Sequence, residues 1–400
     1  MTEKRNKVDH NSVADPQKWT LPEPKNVIAA LDSRKRSTAA RKPQGSHWVF
    51  SKKIIPVDLY AYLMLRFGPP NGFAMTLRSP SVDNLIHWNY TVECPASIID
   101  LSGMDTEINA HVYTVEVEES AWRELESTLL SEFEVNKKAL AGIKKQFEKW
   151  HLFVNPYKRL TSIVDQYESK LTQIDVRAPD PPTFPAGRSD LAQFHEKMGR
   201  AFDLQQEALA LCISLEMILP VMGEAAVNLL MLLFAKTELR NDKRLMQKFG
   251  RDQIDVRIKS LHLHCDGFKT SIPSSDERFK DFLRLMNRRN DTLHGNIDPN
   301  KDFGEVIYFD QHNIPLPAEQ NSFPEITLKH MLADLSKERT LSSIDVVRRF
   351  VQLLIDSLQP EAKSLVQHIM NVPVLGREAK TGRIGSILPT ARVAAFPGGE

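Results

Sequence analysis

Residues 189–219 read SDLAQFHEKMGRAFDLQQEALALCISLEMIL, and Pro220 then leads into VMGEAAVNLLMLLFA, ending at Ala235. The first stretch predicts a long helix with Ser189 or Asp190 as its N-cap. Proline has no amide hydrogen to continue the ladder, so a break is expected at Pro220, with a second helix over 221–239. The run from Ala208 to Ala235 is the longest apolar stretch and is long enough to cross a bilayer. It also carries Glu216, Glu224 and Asn228. A carboxylate near a membrane centre costs about 2.5–3.5 kcal/mol, so the run reads as two buried helices of a soluble bundle, with no membrane association.

Downstream, the helical pattern continues. A shorter helix is expected over 252–264. Pro273-Ser274-Ser275-Asp276-Glu277 opens another, with Ser274 and Glu277 at capping-box spacing. Its apolar positions Phe279, Phe282, Leu283, Met286 and Leu293 keep the helical period, and Gly295 is a natural stop. A small hairpin (GEVIYF…NIPLP) and helices over 328–335 and 342–358 complete an all-α bundle spanning 189–371.

Upstream, residues 176–188 read VRAPDPPTFPAGR, with prolines at 179, 181, 182 and 185. That density forbids helix and marks a linker and domain boundary. Residues 118–175 are rich in Glu, Lys, Leu and Gln and predict a helical arm or hairpin, interrupted near Pro156. Residues 47–117 read as a small α+β unit. It has a helix over 57–67 ending at Gly68-Pro69-Pro70, and strands over 85–92, 97–101 and 108–117, the last alternating cleanly. Residues 1–46 and 372–400 lack periodic apolar pattern and lean basic; they are expected to be disordered tails. The fold class expected is an α+β N-terminal region followed by an all-α helical bundle.

Composition narrows the chemistry. Of 400 residues, 52 are Lys or Arg and 51 Asp or Glu. That balance excludes a chain-wide polybasic coat for nucleic acid. Three cysteines without a pairing pattern exclude a disulfide scaffold and point to a reducing, cytoplasmic setting. No phosphate-binding loop, dinucleotide fingerprint or zinc-protease motif occurs. His262-Leu263-His264-Cys265 invites a metal reading. Residues two apart on a helix point about 200° apart, so the two imidazoles do not share one ion there. No metal or cofactor is expected.

One segment stands apart: Asn287-Arg288-Arg289-Asn290-Asp291-Thr292-Leu293-His294-Gly295, at the end of an amphipathic helix. The spacing of Arg289 and His294 is not rare in itself; Arg257 and His262 repeat it. Its context is distinctive, with Asn directly after the arginine, Gly after the histidine, and an all-α unit around them.

This combination resembles the HEPN family of small helical-bundle domains, found in many RNases and toxins, whose signature is an Arg, a polar residue and a His a few residues on. The resemblance covers about residues 189–371. It implies a metal-independent endoribonuclease whose composite cleft forms at a homodimer interface. It also implies cleavage to a 2′,3′-cyclic phosphate, a link to toxicity or antiviral defence, and control by a separate antitoxin or regulatory protein.

The residue types suit that chemistry on their own terms. Histidine titrates near neutrality, so His294 fits proton transfer. The planar fork of Arg289 matches two phosphate oxygens. Asn290, one helical turn before His294, is placed to fix its tautomer. Arg288 is a candidate second phosphate contact. Glu224, a carboxylate inside the bundle, is a candidate to orient Arg289 or the histidine. Arg289 and His294 lie about 140° apart on a regular helix, so a second subunit or local unwinding is needed for both to reach one phosphate. The other function that fits is a non-catalytic module binding RNA, a nucleotide or a partner protein.

Overall fold

The computed structural model describes residues 11–29, 45–77, 81–113, 115–175, 186–294, 306–318, 323, 326 and 337–388. It divides into two units. The first comprises residues 1–151, 378–381 and 387–400, and the second comprises 152–377 and 382–386. The division falls at 151/152. The proline-rich stretch expected to mark it joins two helices of the second unit, and residues 176–185 lie outside those described.

The first unit is built on a four-stranded antiparallel sheet. Its strands are β1 (Ser46–Val49), β2 (Ile86–Cys94), β3 (Ser97–Met104) and β4 (Ile108–Val112), in the order β1-β4-β3-β2. Alternation puts Tyr90, Val92, Ile99, Leu101, Ala110 and Val112 into the core. The unit's longer helices are α1 (Pro56–Phe67), α2 (Glu119–Val135) and α3 (Lys137–Lys144). Leu59 and Leu63 of α1 and Trp122, Leu125 and Leu129 of α2 are fully or almost fully buried. Helix α1 stops at Gly68, whose φ of 74° suits glycine. The expected helical arm is therefore split. Asn136 separates α2 from α3, and both pack in the first unit.

The N-terminal residues correct the expectation of a disordered tail over 1–46, as far as they are described. Val13 and Trp19 are buried in this core. Thr20 pairs with Glu93 through two backbone hydrogen bonds of 2.9 Å, and Arg66 donates to the carbonyls of Gln17 and Trp19, each at 3.3 Å. Two large apolar side chains amid polar ones suffice to dock a short segment, though they are too few to show a period.

The second unit contains α4 (Pro156–Gln173), α5 (Arg188–Phe234), α6 (Lys243–Arg251), α7 (Ile254–His264), α8 (Glu277–His294), α9 (Lys337–Asp356) and α10 (Pro360–Met370). The hairpin of β6 (Ile307–Phe309) and β7 (Pro315–Pro317) also lies in it. A small sheet orders β5 (Trp150–Val154), β8 (Val374–Glu378) and β9 (Ile384–Gly385) side by side. These last strands correct the second expected tail: residues 372–388 are structured. Buried Asn155 caps α4, accepting from the Lys158 amide at 3.3 Å. Its side-chain amide donates to the carbonyls of Ile369 and Val372, both at 3.0 Å.

Helix α5 runs unbroken through Pro220 for 47 residues, where two helices were expected. An interior proline costs about 3 kcal/mol. Leu215, Leu219, Met222, Leu229 and Leu230 are all at most 2% exposed on either side of it. At about 1.5–3 kcal/mol for each such side chain, burial outweighs the break. The same helix holds one stretch long and apolar enough to cross a membrane. Of that window, 56% is buried within the structure, which is consistent with a core helix of a soluble protein.

Helices α8 and α9 pack on α5. Phe282 and Phe350 stack with centroids 3.9 Å apart and planes within 1°. Gly223 makes room for them, since a Cβ there would lie 2.3 Å from Phe282 Cε2. Asp276 caps α8, accepting from the Arg278 amide at 2.9 Å. Ser274, the residue suggested by capping-box spacing, lies two residues too early.

Candidate functional site

Helix α8 carries the Arg-Asn…His segment, and its apolar stripe orients that segment. Phe279, Phe282, Leu285 and Met286 are buried against α5 and α9. Arg288 continues the stripe one turn beyond Leu285, so its stem enters the junction of the three helices. Its Nη2 donates to Ser343 Oγ of α9 at 2.9 Å and lies 3.8 Å from Glu216 Oε2 of α5. Ser343 Oγ is in turn 2.8 Å from Glu216 Oε1 and 3.0 Å from the Arg339 carbonyl. Glu216 is 2% exposed, whereas the Arg288 side chain keeps 39% of its surface in solvent. A buried carboxylate thus holds a guanidinium whose outer edge stays accessible. Charged groups are retained in interiors when paired in this way.

Proline at 220 bears on this point. It has no N–H to offer the carbonyl of Glu216, its i−4 partner, so the helix ladder is interrupted at the residue that carries the buried carboxylate. Nearby, Cys212 faces Thr340. Burial pushes its thiol pKa up, and the Glu216 charge adds to this.

Arg289 is half-buried and makes no ion pair among the described residues, and Asn290 is exposed. The helix stays regular through His294, with no unwinding before it. Arg289 and His294 therefore remain about 140° apart on one chain, while Asn290 and His294 share a face. The His294 side chain, Gly295 and the helix expected over 328–335 lie outside the described residues.

The structure reassigns the supporting carboxylate. Among the described residues, Glu224 makes no ion pair or hydrogen bond with the segment. Its Oε1 lies 3.7 Å from Arg257 Nη2, and Arg257 Nη1 donates to Asn228 Oδ1 at 2.8 Å. Glu216 and Glu224 are eight residues apart, about 80° around the helix, so they serve different neighbours: Glu216 meets α8 and α9, and Glu224 meets α7. Sequence reasoning offered Glu224 for this role, whereas Glu216 is the carboxylate that meets Arg288. Glu216, four residues before the proline, was the available signal. Ser343 was missed, because nothing in its local sequence separates it from other helical serines.

Arg257 and His262, the pair with matching spacing, do not form a site. Arg257 is 6% exposed in the core, and His262 Nδ1 lies 3.0 Å from the Lys259 carbonyl. His264 packs on Phe249, with ring centroids 4.5 Å apart. Among the described residues, no group of three or more His, Cys, Asp or Glu side chains is placed to hold a metal ion. No protein-family model, curated protein or solved structure matches this chain.

Proposed function

We propose that the second unit is a HEPN-type helical bundle and acts as a metal-independent endoribonuclease. One observation carries the reading: two adjacent guanidiniums end the same helix in different states. Arg288 is tethered from beneath by Glu216 through Ser343, while Arg289 beside it has no ion pair among the described residues. A tethered arginine sets the local geometry, and an untethered one is available to a phosphate.

In this reading the RNA 2′-oxygen attacks the adjacent phosphorus and the bond to the 5′-oxygen breaks. The products are a 2′,3′-cyclic phosphate and a 5′-hydroxyl. His294 accepts the 2′ proton, and a second His294, from a two-fold related copy, protonates the leaving oxygen. Arg289, supported by Arg288, stabilises the charge on the phosphorane. Asn290 holds the imidazole tautomer. Dimerisation resolves the angle between Arg289 and His294 on a regular helix. The three buried, free cysteines suit a reducing cytoplasm, where a separate antitoxin or regulatory protein would restrain a toxic or defensive nuclease.

The test is incubation with RNA in EDTA followed by end-group analysis. His294→Ala should lower cleavage about 10²–10⁴-fold with RNA binding little changed, and Arg289→Lys should restore binding better than turnover. RNA binding without any cleavage by the wild type would instead establish the non-catalytic binding module.

A further inference from the structure

The first unit contains a cavity of about 580 Å³ that the motif on α8 does not involve. Tyr60 of α1, Trp88 of β2 and Phe147 form its aromatic walls, with Met75, Pro70 and His87 at its margins. Tyr60 makes edge-to-face contacts on both sides: its centroid lies 5.8 Å from Trp88 at 65° and 5.7 Å from Phe147 at 64°. Trp88 lies against Gly103 of β3, where a Cβ would come within 2.2 Å of the indole. The sheet thus holds the ring in place from behind.

His87 reaches the same cavity through a backbone irregularity. Ile86 pairs with Met104 and Trp88 with Gly103, which leaves His87 as the extra residue of a β-bulge. Bulges re-aim side chains beside binding sites, and here two consecutive residues, normally on opposite faces of a strand, line one cavity. His87 Nε2 lies 2.7 Å from Asp105 Oδ1, which fixes the ring and leaves Nδ1 for another partner. Among the described residues, the Tyr60 hydroxyl and the Trp88 indole N–H have no hydrogen-bond partner.

We infer that this cavity binds a nucleobase. The occupant must be apolar on its faces, to meet the aromatic walls, and polar at its edge, to meet the imidazole, phenol and indole N–H. A flat heterocycle carrying ring nitrogens and exocyclic groups satisfies both requirements. An aliphatic ligand leaves the polar atoms unused. A quaternary ammonium finds no carboxylate among the described residues that line the cavity. The inference does not depend on the nuclease reading of the second unit.

The experiment is calorimetric titration of the full chain with AMP, GMP, CMP and UMP, with ribose 5-phosphate as competitor and a short oligouridylate in parallel. At least one mononucleotide should bind, and ribose 5-phosphate should not displace it. Trp88→Leu should weaken binding about 10–100-fold, the scale of a lost base–aromatic stack. His87→Ala, at a solvent-accessible margin, should keep the fold and weaken binding about 3–10-fold, the scale of one hydrogen bond. The oligonucleotide binding more tightly than every mononucleotide would identify an unstacked RNA base as the source; the reverse would identify a free nucleotide. Absence of binding by all probes at millimolar concentration, displacement by ribose 5-phosphate, or equal affinity in His87→Ala with unchanged circular dichroism would each overturn the inference.

Discussion

Replacing Glu216 tests the three-helix junction most directly. Its carboxylate lies 3.8 Å from Arg288 Nη2. Coulomb attraction at that distance is about 1 kcal/mol in bulk water and about 4 kcal/mol at the effective dielectric of a protein surface. Arg288 keeps 39% of its side chain in solvent, which places the pair between those limits. Burying the carboxylate costs several kcal/mol in lost hydration, so gain and cost nearly cancel. Glu216→Gln removes both terms and keeps an oxygen for Ser343. Its expected effect on stability is within about 1 kcal/mol in either direction. Glu216→Leu removes the acceptor as well. Ser343 retains the Arg339 carbonyl at 3.0 Å and Arg288 retains water, so the loss should reach only about 1–3 kcal/mol. Urea denaturation followed by circular dichroism measures both. A loss above about 3 kcal/mol for Glu216→Gln would refute the cancellation and make the charge itself the element that holds the junction. Cleavage should fall in both variants if the tether orients Arg288.

Three further outcomes follow from the packing. Gly223→Ala should cost about 1–3 kcal/mol in thermal or urea denaturation, because Phe282 is stacked on Phe350 and has no room to retreat. Arg257→Ala should lower stability by about 2–4 kcal/mol, since it strips a buried guanidinium from Asn228 and Glu224; a silent variant would show that this pair contributes nothing. The hydrogen bond from Arg278 holds the Asp276 carboxyl below its ordinary value. A depressed folded-state pKa adds stability above the unfolded value, near 4, that is lost as pH falls through the folded value. Asp276→Asn should therefore flatten the acid limb of the stability profile below the ordinary carboxylate value, and an unchanged limb would count against the assignment.

The legible parts of the fold are those with a strong period. Strands β2 and β3 and helix α1 sit within three residues of where alternation and Gly68 placed them, β4 starts as expected but ends at Val112 where the alternation ran on to 117, and the helical second half follows its 3.6-residue stripe. What escaped depends on contacts distant in sequence. Nothing near Val13 or Trp19 announces that Arg66 and Glu93 will anchor them. Pro220 carries a local stop signal that only the burial around it overrides. The candidate site was partly legible: the motif and its arginines were visible, but a choice between Glu216 and Glu224 requires knowing which face of α5 meets α8. The bulge at His87 lay inside an expected strand and left no mark in the alternation, because one extra residue is visible only once the partner strand is known.

Helix α5 is about 70 Å long, and its two ends differ in what surrounds them. From Arg188 to Lys197 no side chain is buried; burial begins at Met198. The opening turns rest on the Gly187–Asp190 cap and on local pairs such as Glu196 with Arg200. A ten-residue helix supported only in this way is marginal in water. The rod should therefore open from one end, with its first amides trading hydrogen for deuterium within seconds to minutes. Those between Leu215 and Leu230, locked by the packed core, should exchange only when the whole bundle comes apart.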